Sequence, residues 1–184
     1  MSEDYYFLNT AEQHALQSWH IGLDDNRGDR ARLRRAESPE DILLTDAFFH
    51  FLAKMPEMFP QKLPQDQKLY VSAAIAGLLS QVKKGDTPFS FAKQLATPMK
   101  DKSKAPMSEL RFQQLQKSPT TDDFYRRIIR AIKLLGSNVN ILSLANDIIH
   151  WHKEFEHQLD RHPSNRLAVR WATDYFTALP KKSD

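Results

Sequence analysis

The stretch that decides the fold is Asp122–Leu135, with the sequence DDFYRRIIRAIKLL. On a helix, at about 100° per residue, Arg126, Arg130 and Lys133 fall within roughly 60° of one another. The opposite side is apolar and consists of Phe124, Ile128, Ala131, Ile132 and Leu135. The pattern therefore predicts a helix with one face for a core and one cationic face. That cationic face is either a solvated surface or a row of charges long enough to meet several phosphates of a nucleic-acid strand.

Amphipathic windows of helical period continue on both sides of this stretch, separated by clusters of Pro, Gly and polar residues. No convincing β segment and no internal repeat of fixed period occurs. We therefore predict an all-α fold, a helical bundle of about eight or nine helices that can divide into two packed halves. The predicted organisation is an N-terminal helical half at 1–98, a basic loop at 99–106 and a C-terminal helical half at 107–184.

Start signals give the helix boundaries. Asn9 or Thr10 can cap a first helix, and Asp29 can cap a short second helix over 29–36. A helix that begins after Ser38 is predicted to run to about residue 54. Further helices are predicted at 65–83, 89–96, from 108, at 122–135, at 140–159 and from 163, with Leu69, Leu110, Phe155 and Phe176 among the residues expected to pack inward. The helix at 65–83 has small residues that allow another helix to approach closely: Ala73, Ala74, Ala76 and Gly77.

Composition indicates a globular protein without disulfides. Of the 184 residues, 41% are hydrophobic and 10% aromatic, which is enough for a core. The absence of Cys excludes a disulfide framework, a thiolate nucleophile and a zinc ribbon. The acidic N-terminus MSEDYYFLNT lacks the basic and apolar regions of a signal peptide, and no apolar run approaches the roughly 18 residues that span a bilayer. We therefore expect a cytoplasmic protein with no membrane partner.

The net charge of +3 is mild, but the charges are segregated. Residues 27–35 carry five Arg and one acid, and residues 81–133 carry twelve Lys or Arg and five acids. The rest of the chain holds nine basic and seventeen acidic residues. Segregation of this kind indicates an anionic partner more strongly than the total charge does.

The sequence contains no pattern for common enzyme chemistries, since GxxxxGKS, GxxxxGKT, GxGxxG, GxSxG and HExxH are all absent. His152 and Glu156 have the i,i+4 spacing of a metal-binding pair, but no third ligand is evident. Asp122 and Asp123 are better explained as acids stabilised at a helix N-terminus than as paired catalytic carboxylates. We therefore predict no catalytic residue, no metal and no cofactor, with a helical hydrolase or metal enzyme using His152 and Glu156 as the minor alternative.

Several short motifs occur in a characteristic order. They are Trp19 in the first helix, LRRA at 33–36, SFAKQLA at 90–96, ELRFQQL at 109–115, FYRR at 124–127 and the helix that contains Trp151. In their order and spacing, which cover most of the chain, they resemble the CasB family, the small subunit of the type I-E CRISPR surveillance complex Cascade.

The resemblance implies an all-α subunit without catalytic activity. In that family two copies lie in the complex beside the other Cascade subunits, and basic surfaces hold the target DNA strand, paired with guide RNA, and the displaced strand. These contacts stabilise the R-loop and serve antiviral defence. The protein contacts the nucleic-acid backbone, and the target sequence is recognised by base pairing with the guide RNA. Matching motifs imply contacts to nucleic acid from Arg34, Arg35, Arg111, Lys117, Arg126 and Arg127.

Four further candidates rest on the sequence pattern alone. Arg130 and Lys133 follow from the helix geometry, and Arg27 and Arg30 belong to the Arg cluster at 27–35. We expect the α-helical row of Arg126, Arg130 and Lys133 to fold beside Arg34 and Arg111 in a single basic track. The alternative hypothesis is a helical protein-interaction module whose basic faces dock on acidic proteins.

Overall fold

The computed structural model describes residues 5–182 and confirms the all-α fold class. Within that range the chain forms ten α-helices and a 3-10 turn at Pro163–Asn165, and the only β-type pairing is an isolated bridge between Lys84 and Asn138. None of the helices in 5–182 has the length and apolarity needed to cross a bilayer. The helices are α1 (Thr10–Gly22), α2 (Arg27–Arg35), α3 (Pro39–Leu43), α4 (Asp46–Lys54), α5 (Gln65–Ser80), α6 (Phe91–Ala96), α7 (Glu109–Gln116), α8 (Thr121–Leu134), α9 (Ile141–Phe155) and α10 (Leu167–Ala178).

Side-chain caps set several of the predicted starts. Asn9 begins α1 in a capping box, in which its side chain accepts from the N–H of Glu12 and the Glu12 carboxylate accepts from the N–H of Asn9. Ser38 caps α3 with Pro39 in the first turn. Thr120 caps α8 by accepting from the N–H of Asp123 at 3.0 Å. Each cap satisfies an amide that the first helical turn would otherwise leave unpaired.

The single helix expected over 38–54 is wrong, because Thr45 divides it into α3 and α4. The Thr45 hydroxyl accepts from the N–H of Phe48 at the start of α4 and donates to the carbonyl of Ile42 at the end of α3. One hydroxyl thus ends one helix and begins the next. This division accounts for ten helices where the sequence predicted eight or nine.

Asp29 does not cap α2 as predicted. The cap is Asn26, whose side-chain oxygen accepts from the N–H of Asp29. Asp29 is buried instead, and its carboxylate accepts a 2.8 Å hydrogen bond from Nδ1 of His50. This bond fastens α2 to α4.

Two long helices end earlier than expected because their final residues find other partners. α5 ends at Ser80 rather than 83, since the N–H groups of Lys83 and Lys84 donate to the carbonyl of Ser137. α9 ends at Phe155 rather than 159, where His157 takes a left-handed φ of 62°.

The inward packing predicted for four apolar residues is wrong. Leu69, Leu110 and Phe176 are exposed, and Phe155 is only partly covered where it stacks on Trp151. On α7 the buried residues are Phe112 and Leu115, and the ring of Phe112 stacks on Tyr175 of α10 at a centroid distance of 4.0 Å. Phe112 and Leu115 are three positions apart and share one helix face, whereas Leu110 lies about 200° from Phe112 and therefore faces solvent.

α5 is the central helix, and residues 71–80 are buried on all sides. It packs against α2, α3, α4, α8 and α9, so one continuous core contains residues from both predicted halves. Gly77 marks the closest approach: a Cβ there would lie 2.1 Å from Ile42 Cδ1 and 2.2 Å from the Tyr125 hydroxyl oxygen. The missing side chain lets α3 and α8 pack directly on the α5 backbone.

A buried lysine orders the long loop before α5. The ammonium of Lys68 donates to the carbonyls of Met58, Pro60 and Gln61 at 2.8, 2.7 and 3.3 Å. The Gln61 N–H donates in turn to the carboxylate of Glu12 in α1. These bonds replace water for a loop that has no regular structure of its own.

Candidate nucleic-acid interface

The cationic face of α8 and the basic end of α2 lie side by side and form the walls of one open groove of about 710 Å³. We call it the basic groove, and its cations are Arg34 and Arg35 of α2 with Arg126, Arg130 and Lys133 of α8. The structure thus brings together the α8 row and part of the Arg cluster, which are far apart in sequence.

The orientation of α8 follows from its apolar side. All five residues predicted for that side are buried: Phe124, Ile128, Ala131, Ile132 and Leu135. Tyr125 is buried as well, with its ring against Gly77 of α5. Because the helix is fixed by this packing, Arg126, Arg130 and Lys133 are exposed on its outer side.

Gln81, just after α5, positions α2 beside the groove. It is buried, its Nε2 donates to the backbone carbonyl of Arg34 at 3.2 Å, and its Oε1 accepts from Nε of Arg34 at 3.5 Å. Glu37 also lines the groove, after the end of α2. Sequence reasoning missed both residues, because neither belongs to a charge run or a motif.

The five groove cations are electrostatically uncompensated. Within residues 5–182, none of them forms an ion pair with an acidic side chain, and Glu37 is the only acid among the described lining residues. Their neighbours on α2 are paired, Arg30 with Asp24 at 2.9 Å and Arg32 with Asp46. Mutual repulsion among unpaired cations is relieved when an anion enters between them.

The other predicted contact residues lie outside the groove. Arg27 is exposed in the first turn of α2, and Arg30 also donates to the carbonyl of Val82. Arg111 and Lys117 are exposed on and just after α7. The structure therefore joins Arg34, but not Arg111, to the α8 row.

Arg127 follows Arg126 in sequence but projects in another direction. Its guanidinium donates to the carbonyl of Gln114 and to the Ser118 hydroxyl, which connects α8 to the end of α7. A helix turns about 100° per residue, so adjacent arginines cannot share a narrow face.

The basic loop approaches the far end of α8. Lys102 and Lys104 border a separate depression of about 340 Å³ together with Leu134, the residue after Lys133. These two lysines are exposed and extend the positive surface beyond the groove.

The His152–Glu156 pair is not arranged as a metal site. His152 is buried, its Nδ1–H donates to the carbonyl of Ile148 at 2.8 Å, and its Nε2 has no hydrogen-bond partner in the described structure. Glu156 follows the last turn of α9 and is exposed. No group of three potential ligand side chains (His, Asp or Glu) occurs among residues 5–182.

The burial of His152 predicts a loss of stability in acid. Desolvation lowers its pKa from 6.5 to about 4, because the charged imidazolium would lose its water among the rings of Tyr70, Phe124 and Trp151. The folded state therefore binds this proton less readily than the unfolded state. The stabilisation is fully present above pH 6.5 and is lost as the pH falls through 4, by roughly 3 kcal/mol in total.

Urea unfolding at a series of pH values measures this effect. His152→Met keeps a similar apolar volume and removes the titrating ring, so its unfolding free energy should fall less than that of the parent between pH 6.5 and 4. Leu144→Met, in the same buried helix, should keep the parental pH dependence. Equal acid sensitivity in the parent and in His152→Met would contradict the assignment.

The fold and the groove define a class of protein: an all-α protein with unpaired cations concentrated between two outer helices. The family model for CRISPR-associated protein Cse2 (CRISPR_cse2) matches residues 29–176 of the 184. The chain belongs to this family, the small subunit of type I-E Cascade, which confirms the resemblance seen in the sequence. Neither the curated proteins nor the solved structures include a match to the chain.

Family membership identifies the assembly to which the protein with this groove belongs. Cse2 proteins are structural subunits of the multi-subunit CRISPR complex Cascade, and this chain is one of them. The matched range contains all five groove cations and most of α10.

Proposed function

We propose that this chain is the non-catalytic nucleic-acid-binding subunit of its Cascade complex. The basic groove contacts the phosphate backbone of a DNA strand, and basic surfaces of this kind hold target and displaced strands and stabilise the R-loop. The observation that carries the proposal is that five cations from two helices line one groove without acidic partners among residues 5–182.

The electrostatics of the groove suit phosphate better than a single small anion. Arg126, Arg130 and Lys133 follow one another along successive turns of α8, so the positive charge is extended in a row. Each phosphate that such a row neutralises releases condensed counterions, which is the main source of non-specific affinity for DNA. Exchange of a DNA duplex for a guide heteroduplex is nearly balanced in free energy, so a few backbone contacts can tip it.

The lining supports backbone contact rather than base reading. Its apolar members are Ala31, Ala36 and Ile129, and no aromatic ring occurs among the described lining residues. Without a ring to stack on, bases gain little from entering the groove. The groove thus fits a strand whose sequence is read elsewhere, by pairing with guide RNA.

Family membership supports the remaining partners in this proposal. In this proposal the chain docks on other Cascade subunits and lies beside a second copy of itself in the complex, next to the guide RNA–DNA hybrid. The alternative, a module whose cations dock on acidic proteins, would produce a pull-down partner without any DNA mobility shift.

A double substitution in the groove tests the proposal. We expect Arg126→Ala with Arg130→Ala to weaken DNA binding with little change in thermal stability, because both side chains are exposed and form no ion pair within the described part of the chain. On duplex DNA, the slope of log K against log salt should decrease by about 0.9 for each phosphate that the variant no longer neutralises. A mobility-shift titration at two salt concentrations measures both quantities.

The matched control removes two charges elsewhere. Lys54→Ala with Arg161→Ala lowers the net charge equally at exposed positions that do not line the groove. If both double variants weaken binding to the same extent, the effect is one of net charge and the groove is not the binding surface.

A further inference from the structure

A second cavity, of about 750 Å³, lies where the N-terminal segment meets α9 and α10. None of its described lining residues lines the basic groove. Its volume falls within the range of pockets that hold small ligands. Its lining differs in kind, because it combines three cations with two aromatic rings: Lys62, Lys153, Arg170, Tyr6 and Phe7.

The cations of this cavity are held in place without losing their charge. Lys62 donates to the carbonyl of Tyr6, and its ammonium lies 3.4 Å from the centroid of the Tyr6 ring. Lys153 donates to Oε1 of Gln158 at 3.3 Å and lies 5.9 Å from the centroid of Phe7. Neither lysine forms an ion pair with an acid among residues 5–182.

Arg170 is fixed from behind by buried groups of α9. Its Nη1 donates to Nδ1 of His150 at 2.8 Å, and its Nη2 lies 3.6 Å from the carboxylate of Asp147. Since Nδ1 of His150 accepts, the ring proton is on Nε2, which lies 3.2 Å from the Glu154 carboxylate and donates to it. The guanidinium is therefore aimed by bonds on the side away from solvent.

The net charge of the cavity is positive. Asp160 is the only acid among its described lining residues, and its carboxylate already accepts from the N–H of His162 at 2.7 Å. Arg170 is already near the Asp147 carboxylate, but Lys62 and Lys153 have no acidic partner among residues 5–182, so the cavity leaves room for an anionic group. The cavity also has aromatic rings, which do not occur among the described lining residues of the groove.

Tyr6 gives the cavity a stacking surface. Its side chain is largely in water, since the residue is 68% exposed, while Phe7 beneath it is buried against His150. A rigid, exposed ring beside cations is the arrangement by which proteins hold unpaired nucleotides, with the base on the ring and the phosphate on the cations. A paired base cannot stack in this way, because its faces are already covered within the duplex.

We propose that this cavity binds one unpaired nucleotide of a single strand, with the base on Tyr6 and a neighbouring phosphate at Lys153 and Arg170. The inference deepens the proposed function and rests on it, because it gives an unpaired strand a site that is chemically different from the basic groove. The groove would accept any backbone, whereas the Tyr6 cavity would accept only a base that is free to stack.

The test compares single-stranded and duplex DNA of one length, with 2-aminopurine in the single strand to report stacking. We expect Tyr6→Ala to lower affinity for the single strand about tenfold, with loss of the fluorescence change, an unaltered salt slope and unaltered duplex affinity. Tyr6→Phe should bind as the parent does, since it keeps the ring. Lys153→Gln should lower the single-strand salt slope by about 0.7.

The groove variant Arg126→Ala with Arg130→Ala separates the two proposals. If it leaves both DNA forms bound as tightly as the parent does, the proposed function fails, whatever Tyr6 does. The Tyr6 inference is overturned alone if Tyr6→Ala binds the single strand like the parent, or weakens duplex binding equally. It is also overturned if a poly-glutamate peptide binds with the same dependence on Tyr6, because the cavity would then be a protein-docking site.

Discussion

Replacing Gly77 with alanine should destabilise this protein by about 3 kcal/mol or more, although the same change in an open helix stabilises by up to about 1 kcal/mol. The added Cβ would lie 2.1 Å from Ile42 Cδ1 and 2.2 Å from the Tyr125 hydroxyl oxygen, so α3 and α8 would have to move away from α5. Both neighbours are fully buried and have no free space into which to turn. Thermal unfolding should show a decrease in Tm of roughly 6–12 °C for a chain of this size.

Gly28→Ala is the matched control for this result. Gly28 lies in α2, and the nearest atom to a Cβ there, Oδ1 of Asn26, would be 3.9 Å away. We therefore expect Gly28→Ala to be neutral or slightly stabilising.

A rescue experiment identifies the cause of the Gly77 effect. Ile42→Val removes Cδ1, and Tyr125→Phe removes the hydroxyl, which is buried and has no hydrogen-bond partner among the described residues. In the background of both substitutions, Gly77→Ala should lower the free energy of unfolding by clearly less than it does in the parent, as expected for non-additive changes at contacting residues. If Gly77→Ala lowers the free energy of unfolding equally in both backgrounds, the contacts of the added Cβ with Ile42 and Tyr125 are not what destabilises the variant.

Removing all five groove cations should weaken DNA binding about 10³-fold or more at low salt, if each meets a phosphate. The variant carries Ala at the five positions that define the basic groove: Arg34, Arg35, Arg126, Arg130 and Lys133. Each cation removed takes away one contribution from counterion release, so the deficit in affinity should shrink steadily as salt is raised. Fluorescence anisotropy with labelled duplex DNA over a salt series measures the affinity and the slope together.

Stability should change little in the five-cation variant. The side chains are exposed, and among residues 5–182 only Arg34 has a side-chain hydrogen bond within the groove, to Gln81. A second variant distinguishes an effect of the groove from an effect of any charge on α8. Arg127→Ala removes a charge from α8 that is directed towards Gln114 and Ser118 rather than into the groove. If Arg127→Ala weakens binding as much as Arg130→Ala does, the binding surface follows the α7 side of α8 rather than the basic groove.

The sequence predicted helices better than it predicted their ends. The starts after Asn9 and Ser38 were visible because a capping side chain stands directly before an apolar pattern. Thr45 was missed because it lies inside such a pattern, where either a continuous helix or two capped helices satisfy the same residues. Asp29 was misassigned because Asn26 offers an equivalent capping oxygen one turn earlier.

The sequence predicted the cationic face of α8, but it did not predict which residues from other elements would join that face in the candidate site. The period of α8 alone placed Arg126, Arg130 and Lys133 together, since one face had to be buried. No local signal indicated that Gln81 would hold Arg34. The Tyr6 cavity was equally hidden, because its rings and cations come from four separate segments.

The sequence by itself determined the all-α class, the family and the cationic face of α8, because helical period and charge are properties of neighbouring residues. Only the tertiary structure decided which cations act together. Arg30 and Arg34 are i,i+4 neighbours on α2, yet Arg30 pairs with Asp24 while Arg34 faces α8 across the groove. The difference arises because an acid from the preceding turn reaches the first arginine, whereas the packing of α8 on Gly77 places three further cations beside the second.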